Sequence, residues 1–320
     1  MERCVYDLHA KETWAEQIDP KQASKQVTEG LCLPRPKFGC QLPQDIPNPE
    51  HLIDVAKECE SLGYDSVWAY DHLSPYWLHS GIALECWTLL SAVAARTSKI
   101  RVGSLVTNVN LRNPALLAKM TSTVDCISGG RLIVGLGTGD RLSAHEMQTH
   151  GYQFPSLEHR IDRLRETILI LRAMWTGEKV SVRGKTCEIS NALSLPKPKQ
   201  KPGPPIWIGG RHKMVLDVVV ELADGWNYWG LNRQDLEDRE KYLFAKCAEV
   251  GRPYMGLVKS WTGKVDARKQ RSSDLTIVED IKRRLLSQTS EHTDYFIASF
   301  GRDSDPNAYE AFAEAVKSFA

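Results

Sequence analysis

The sequence predicts an α/β protein, a closed (β/α)₈ barrel with insertion segments, and three observations carry that expectation. From Lys37 onward, short β-rich runs alternate with helical patterns of about 10 to 15 residues, which implies βαβ units on a parallel sheet. Eight such units follow one another. The strand runs are apolar on both faces, and the 320-residue length somewhat exceeds the ~250 typical of a closed barrel, which fits that fold better than an open doubly wound sheet.

Each element can be justified in order. The first strand is KFGCQL (Lys37 to Leu42), followed by an amphipathic helix from Pro49 to Leu62 with Leu52, Ile53, Ala56 and Cys59 at helical spacing. Gly63 stands where a C-terminal helix cap belongs. Then come strand SVWAY (Ser66 to Tyr70), helix Glu85 to Arg96, strand IRVGSLV (Ile100 to Val106), helix Pro114 to Ile127 and strand RLIVGLG (Arg131 to Gly137). A long helix, Leu157 to Trp175, precedes strand PIWIGG (Pro205 to Gly210), helix Met214 to Ala223, strand GWNYW (Gly225 to Trp229) and helix Asp235 to Val250. Strand MGLVKSW (Met255 to Trp261), helix Val278 to Leu286, strand DYFIASF (Asp294 to Phe300) and a helix from Asn307 to the end complete the series.

Three stretches break the rhythm. Residues 1–36 are polar, weakly periodic and closed by LPRP, and read as an appendage to a single barrel domain spanning 37–320. Within 176–204, a two-stranded hairpin (Val180 to Val182, Cys187 to Ile189) and a Pro/Lys-rich linker form an excursion. Thr262 to Leu275 is charged and aperiodic, a pattern that after a barrel strand suits a lid.

Composition excludes several classes. With 41 Lys+Arg against 40 Asp+Glu, the formal net charge of +1 argues against electrostatic capture of nucleic acid or an anionic membrane. No apolar stretch approaches the ~20 residues of a membrane-spanning helix, and the charged N-terminus does not read as a secretory signal. Eight scattered cysteines without a CxxC pair suit reduced thiols in a cytoplasmic protein.

In a (β/α)₈ barrel the site lies at the C-terminal ends of the strands. That rule selects Asp71 and His72, Thr107 and Asn108, Gly137 to Asp140, and Gly209 to Arg211. His72 exchanges a proton near neutral pH, and Asp71 beside it can orient it or a ligand. The plainer reading, a surface histidine next to a helix-capping aspartate, stays open. The run GLGTGD offers amides unshielded by Cβ atoms, suited to an anion or a planar ring, although it lacks the GxGxxG dinucleotide spacing. The GG of PIWIGG precedes a helix whose N-terminal amides favour a phosphate, unless it is simply a tight turn. In AHEMQTH the two histidines are five apart and do not share a helix face, so zinc is not expected. Neither a P-loop nor a GxSxG elbow occurs, and Trp77, in the loop after His72, is placed to wall a flat ligand.

Four ordered segments carry a family resemblance: AKECESLGYDSVWAYDH, ECWTLLSAVAARTSKIRVGSLV, NPALLAKMTSTVDCISGGRLIVGLGTGD, and PPIWIGG followed by LADGWN. Together they resemble the bacterial luciferase-like superfamily, and within it the branch dependent on the deazaflavin coenzyme F420. The resemblance runs from about Lys37 to Trp229 and more weakly to the C-terminus; residues 1–36 depart from it. It implies a ring bound in the barrel mouth, phosphate near the GG turn, and a non-prolyl cis peptide after the third strand, here between Ser104 and Leu105. His72 matches a histidine of proton transfer or ring contact and Asp71 a cofactor-contacting acid. Asp140 stands where relatives carry a catalytic Glu. The other implied cofactor contacts are Ser104, Leu105, Thr107, Asn108, Gly137, Thr138, Gly139, Ser143, Gly209, Gly210 and Arg211, and Tyr76 or Trp77 falls near a substrate-pocket aromatic.

The expected function is therefore an F420-dependent oxidoreductase passing hydride between the deazaflavin and a small-molecule substrate, with His72 or Asp140 handling the proton. The alternatives are an FMN-dependent monooxygenase fed by a separate flavin reductase, and a barrel that binds flavin or deazaflavin without turnover. The resemblance also implies a homodimer.

Overall fold

The computed structural model describes residues 4–7, 35–75, 81–265, 276–301 and 307–319. Eight parallel strands close into a barrel in the order β2 (Lys37–Gln41), β3 (Ser66–Ala69), β4 (Arg101–Ser104), β6 (Leu132–Gly137), β9 (Ile206–Gly209), β10 (Gly225–Tyr228), β11 (Val258–Val265) and β12 (Tyr295–Phe300). Closure comes from β12 pairing in parallel with β2, Tyr295 opposite Lys37. A two-residue strand, β5 (Thr107–Asn108), adds to the mouth end of β6.

The barrel interior is filled by size alternation between strands. Trp68, Leu105, Ile133, Trp207, Tyr295 and Ile297 form its buried cluster, with the Trp68 and Trp207 rings 5.0 Å apart. Glycines on adjacent strands make room for the indoles: a Cβ on Gly103 would lie 2.4 Å from the Trp68 ring, and one on Gly225 2.7 Å from that of Trp207. Ser66 Oγ accepts from both Trp68 Nε1 (2.6 Å) and Tyr295 Oη (2.8 Å), so the polar tips of these aromatics stay satisfied in the core.

Helices cover the outside. They are α1 (Pro49–Ser61), α2 (Cys86–Arg96), α3 (Pro114–Ile127), α4 (Arg141–Thr149), α5 (Leu157–Thr176), α6 (Lys213–Leu222), α7 (Arg233–Glu249), α8 (Ile277–Gln288) and α9 (Ala308–Lys317). Asn48–Pro49 and Asn113–Pro114 each set a side-chain N-cap before a proline, and Gly63, at φ +80°, turns the chain after α1. Among the described residues, no helix is long and apolar enough to cross a membrane.

The structure departs from the sequence expectations in four places. Helix α4 occupies a stretch given no element. Strand β11 starts at Val258, because Tyr254–Gly256 form a 3₁₀ turn, and it continues through Thr262 to Val265, where the expected loop begins. Backbone pairing with β12 up to Phe300 supplies what the polar TGKV sequence does not advertise. Residues 266–275 of that expected lid lie outside the described residues. The non-prolyl cis peptide joins Leu105 to Val106, one bond later than the resemblance placed it. Finally, β1 (Cys4–Asp7), in the N-terminal segment, pairs in parallel with β7 (Val180–Arg183) of the hairpin, whose other strand is β8 (Glu188–Ala192). Glu166 on α5 pins the hairpin turn by accepting from the amides of Lys185 (2.6 Å) and Thr186 (3.0 Å).

Candidate active site

The strand C-termini open into one cavity of about 1290 Å³. It exceeds the roughly 300–1,000 Å³ of an ordinary ligand pocket, which leaves room for a large cofactor and a second molecule. Of the residues singled out in the sequence, Asp71, His72, Leu105, Asn108, Gly137 to Asp140, Ser143 and Gly209 to Arg211 line it. Ser104 and Thr107 do not: Ser104 Oγ is buried between the strands, bonded to the carbonyl (2.8 Å) and amide (3.1 Å) of Gly135, and Thr107 Oγ1 is buried without a hydrogen bond. Tyr76 and Trp77 lie outside the described residues.

His72 is held from two sides. Gln44, fully buried after β2, completes the strand edge beyond β3: its Oε1 accepts from the Tyr70 amide (2.6 Å) and its Nε2 donates to the Tyr70 carbonyl (2.9 Å). This fixes the chain two residues ahead of the histidine. From α4, Glu146 Oε1 lies 2.7 Å from His72 Nδ1, while Oε2 accepts from the amides of Leu73 (2.9 Å) and Ser74 (3.3 Å). The Glu146 side chain is only 4% exposed against 18% for the histidine. A buried carboxylate with three partners is a fixed group, not a solvated one.

Asp71 points into a different network. Its carboxylate receives both Arg112 Nη1 (2.5 Å) and Nη2 (2.9 Å), together with the Asn108 amide (3.0 Å). Arg112 Nη2 also reaches Glu85, which caps α2 through the amides of Trp87 and Thr88. Burial raises the Asp71 carboxyl, and Arg112 with the Asn108 amide opposes that rise. Burial also disfavours the Arg112 cation, but the Asp71 and Glu85 carboxylates outweigh it and hold the guanidinium above its ordinary range. The pair is ionised, since three N–H donors converge on one carboxylate and a proton there would displace one of them.

The loop after β6 is shaped by its own polar groups. Asp140, exposed, is the N-cap of α4: its Oδ1 accepts from the amides of Leu142 and Ser143 (3.0 Å each), and Ser143 Oγ returns toward the Asp140 amide (3.3 Å). Arg160 on α5 donates to the carbonyls of Thr138 (3.2 Å) and Gly139 (2.5 Å), and Asn110 Nδ2 also reaches Thr138 O (2.9 Å). These bonds leave the Gly137–Asp140 backbone little freedom at the cavity wall.

The cavity floor is the Leu105–Val106 step. A Cβ on Gly137 would stand 2.5 Å from Val106 Cγ2, and one on Gly209 2.9 Å from Val106 Cγ1, so glycines on β6 and β9 make the recess that the valine fills. Gly210, at φ +142°, then turns the chain into α6, whose N-cap is His212. The result is an apolar platform beside a helix N-terminus and Arg211, an arrangement that can support a flat ring with an anionic tail.

Gln44 and Glu146 are the site residues that the strand-end rule misses. Glu146 lies inside the AHEMQTH motif weighed for metal binding, and a carboxylate on the first helix after the β6 loop was the available signal.

A (β/α)₈ barrel with a cavity at its mouth, floored by Leu105–Val106, and a carboxylate-held histidine in the wall has the form of a small-molecule-binding barrel. The chain belongs to the luciferase-like monooxygenase family, whose model matches residues 29–261. It is 33% identical over 193 residues to an F420-dependent glucose-6-phosphate dehydrogenase of Amycolatopsis mediterranei, a match covering 59% of this chain and 56% of that protein. The chain thus matches about half the length of that relative. Among solved structures, an F420-dependent secondary alcohol dehydrogenase in complex with an F420-acetone adduct aligns over 88% of this chain and 98% of its own, at 17% identity and a TM-score of 0.74. An EDTA monooxygenase of Chelativorans sp. BNC1 aligns over 89% and 93%, at 13% identity and a TM-score of 0.71. At such identities these two speak for the fold.

Proposed function

We propose that this chain is an F420-dependent oxidoreductase that acts as a dehydrogenase on a hydroxyl-bearing small molecule. The observation that carries the reading is the placement of His72 in the wall of the cavity that Leu105 and Val106 also line, tied to Glu146 at 2.7 Å. The sequence likeness to F420-dependent glucose-6-phosphate dehydrogenases supports the choice of cofactor and direction.

Bound F420 supplies a hydride acceptor at C5 of its deazaflavin. The chain's own residues do the rest. Leu105 and Val106 would hold the ring, Gly137 and Gly209 leave room for it, and the Gly210–His212 turn with Arg211 would hold the phosphate. His72 would take the hydroxyl proton of a substrate whose hydride the bound cofactor would accept, which would leave a carbonyl. Asp140, committed to capping α4, serves the loop geometry and leaves the proton to His72.

Fluorescence titrations of the protein with F420 and with FMN, each oxidised and reduced, test the reading. Tight F420 binding, weak FMN binding, and F420 reduction with glucose 6-phosphate or 2-propanol are expected. Preference for reduced FMN with O₂ consumption assigns the chain to oxygenase chemistry instead, and F420 binding without reduction by any alcohol leaves only a carrier.

A further inference from the structure

The geometry points to Asn227 and Thr262 as a hydroxyl-recognition pair in the cavity wall. Asn227 Oδ1 accepts from one substrate hydroxyl, and the Thr262 hydroxyl donates to the same group, which is not the one oxidised; this rests on the dehydrogenase reading above. Asn227 faces the barrel interior. Its neighbours Trp226 and Tyr228 pack outward in the layer shared with the helices, their rings 4.9 Å apart, and side chains alternate along a strand. A Cβ on Gly225, two residues back, would meet the Trp207 indole inside the barrel. Asn227 is only 3% exposed, and it lines the cavity together with Thr262.

Hydrogen-bond directions fix which way the amide points. Asn227 Nδ2 lies 2.8 Å from Thr262 Oγ1, 2.9 Å from Ser260 Oγ and 3.3 Å from the Ser260 carbonyl. A carbonyl only accepts, and Ser260 Oγ gives its own proton to the Trp226 carbonyl (3.1 Å), so the group facing them must be the amide nitrogen. Oδ1 therefore takes the other side. Among the described residues no donor reaches it, and it is not one of the buried polar atoms shut off from every partner, so its access is through the cavity that Asn227 lines. Thr262 completes the pair: its Oγ1 already accepts from Asn227, and its proton reaches no acceptor among the described residues. An acceptor and a donor side by side on neighbouring strands match a group that both donates and accepts, which a hydroxyl does.

The barrel order sets this pair apart from His72 and the platform. In the eight-stranded ring β10 stands four places from β3, after which His72 follows, and β11 four places from β4, after which the Leu105–Val106 step follows. Strands four apart in a closed ring of eight face each other across it. A substrate would thus turn its reacting hydroxyl to the His72 wall and a second hydroxyl to Asn227 and Thr262. A site built to hydrogen-bond a hydroxyl rejects an analogue that cannot, because a buried polar atom is then left unpaired.

The test compares F420 reduction by 1,2-propanediol and by 1-methoxy-2-propanol, which share a secondary carbinol but differ in whether the second oxygen can donate. The full-length chain should favour the diol by at least about tenfold in kcat/KM, Thr262→Val should lower that ratio to about threefold or less, and Thr262→Ser, which keeps the hydroxyl, should retain it. Equal kcat/KM for the two probes in the wild type, or a ratio that Thr262→Val leaves unchanged, overturns the proposal. So does a tenfold loss of F420 affinity in Thr262→Val, which would give the pair to the cofactor. A second readout needs no turnover. The Asn227 side-chain amide signals in a ¹H–¹⁵N correlation spectrum, assigned by comparison with Asn227→Leu, should shift with 1,2-propanediol and not with an equal concentration of 1-methoxy-2-propanol. If no alcohol reduces F420, the dehydrogenase reading fails and this spectrum decides the pair by itself: like shifts with both probes reject it.

Discussion

The Val106 side chain occupies the space that a Cβ on Gly137 would need, 2.5 Å from Cγ2. Since Val106 also abuts Gly209, it cannot withdraw toward β9. Gly137→Ala should therefore push the valine into the cavity, destabilise the fold by about 1–3 kcal/mol, and weaken F420 binding by about tenfold. Adding Val106→Ala should recover a large part of both losses, because the two sites share one space. A single variant with wild-type melting temperature and F420 affinity would show that the platform does not depend on this fit.

Asp140 offers a clean separation of two roles. As the N-cap of α4 it accepts from the amides of Leu142 and Ser143. Asparagine preserves that acceptor and alanine does not. Asp140→Asn should keep turnover within about threefold of wild type, whereas Asp140→Ala should lose about 1 kcal/mol of stability and, by loosening the helix that carries Glu146, some turnover as well. If Asp140→Asn abolished turnover while folding normally, the acid role would return to this residue.

How much of this was legible in the sequence depends on the range of the forces involved. The eight barrel strands are readable because their apolar faces and flanking caps are local; the Asn48–Pro49 start and Gly63 stop of α1 are examples. Helix α4 is harder, since its buried residues are only Ser143, Glu146 and Met147, too few for an apolar stripe. The end of β11 is invisible because Thr262–Val265 are ordered by pairing with β12, not by their own character. The strand-end rule finds His72 but not Glu146, whose meaning comes from a partner 74 residues away. Asp71 illustrates the converse. Its position at a strand end suggests a ligand contact, yet its oxygens are taken by Arg112, a residue with no sequence signal linking it to Asp71.

That pairing leads to a stability prediction. Asp71→Asn leaves the buried Arg112 guanidinium with Glu85 as its remaining carboxylate partner, and removing one member of a buried ion pair costs about 3–5 kcal/mol. The loss should appear in urea unfolding. Asp71→Asn/Arg112→Met should lose less than the sum of the single changes, since the two groups act together. In the folded fraction, F420 affinity should stay within about threefold of wild type; a large loss of affinity with stability intact would make Asp71 a ligand contact after all.

Glu60 gives the protein a local acid-sensitive latch. It accepts from the amides of Ser98 (3.0 Å) and Ile100 (2.8 Å), joining α1 to the start of β4. Burial by itself raises this carboxyl, but the amides of Ile100, Lys99 and Ser98 outweigh it and bring it below its ordinary value. A carboxyl depressed in the folded state stabilises fully above its unfolded value of about 4.3, and that contribution fades as pH falls through the folded value. Because the group is partly exposed, screening limits the effect to about 0.5–1 kcal/mol. Glu60→Gln should thus be less stable than wild type at pH 7 by about that amount, and the gap should close as pH falls below about 4.3 and through the lowered folded value. Denaturation curves at stepped pH read the difference directly; two parallel curves across that window would mean that the amides bind the neutral and charged forms alike, and that the latch does not titrate.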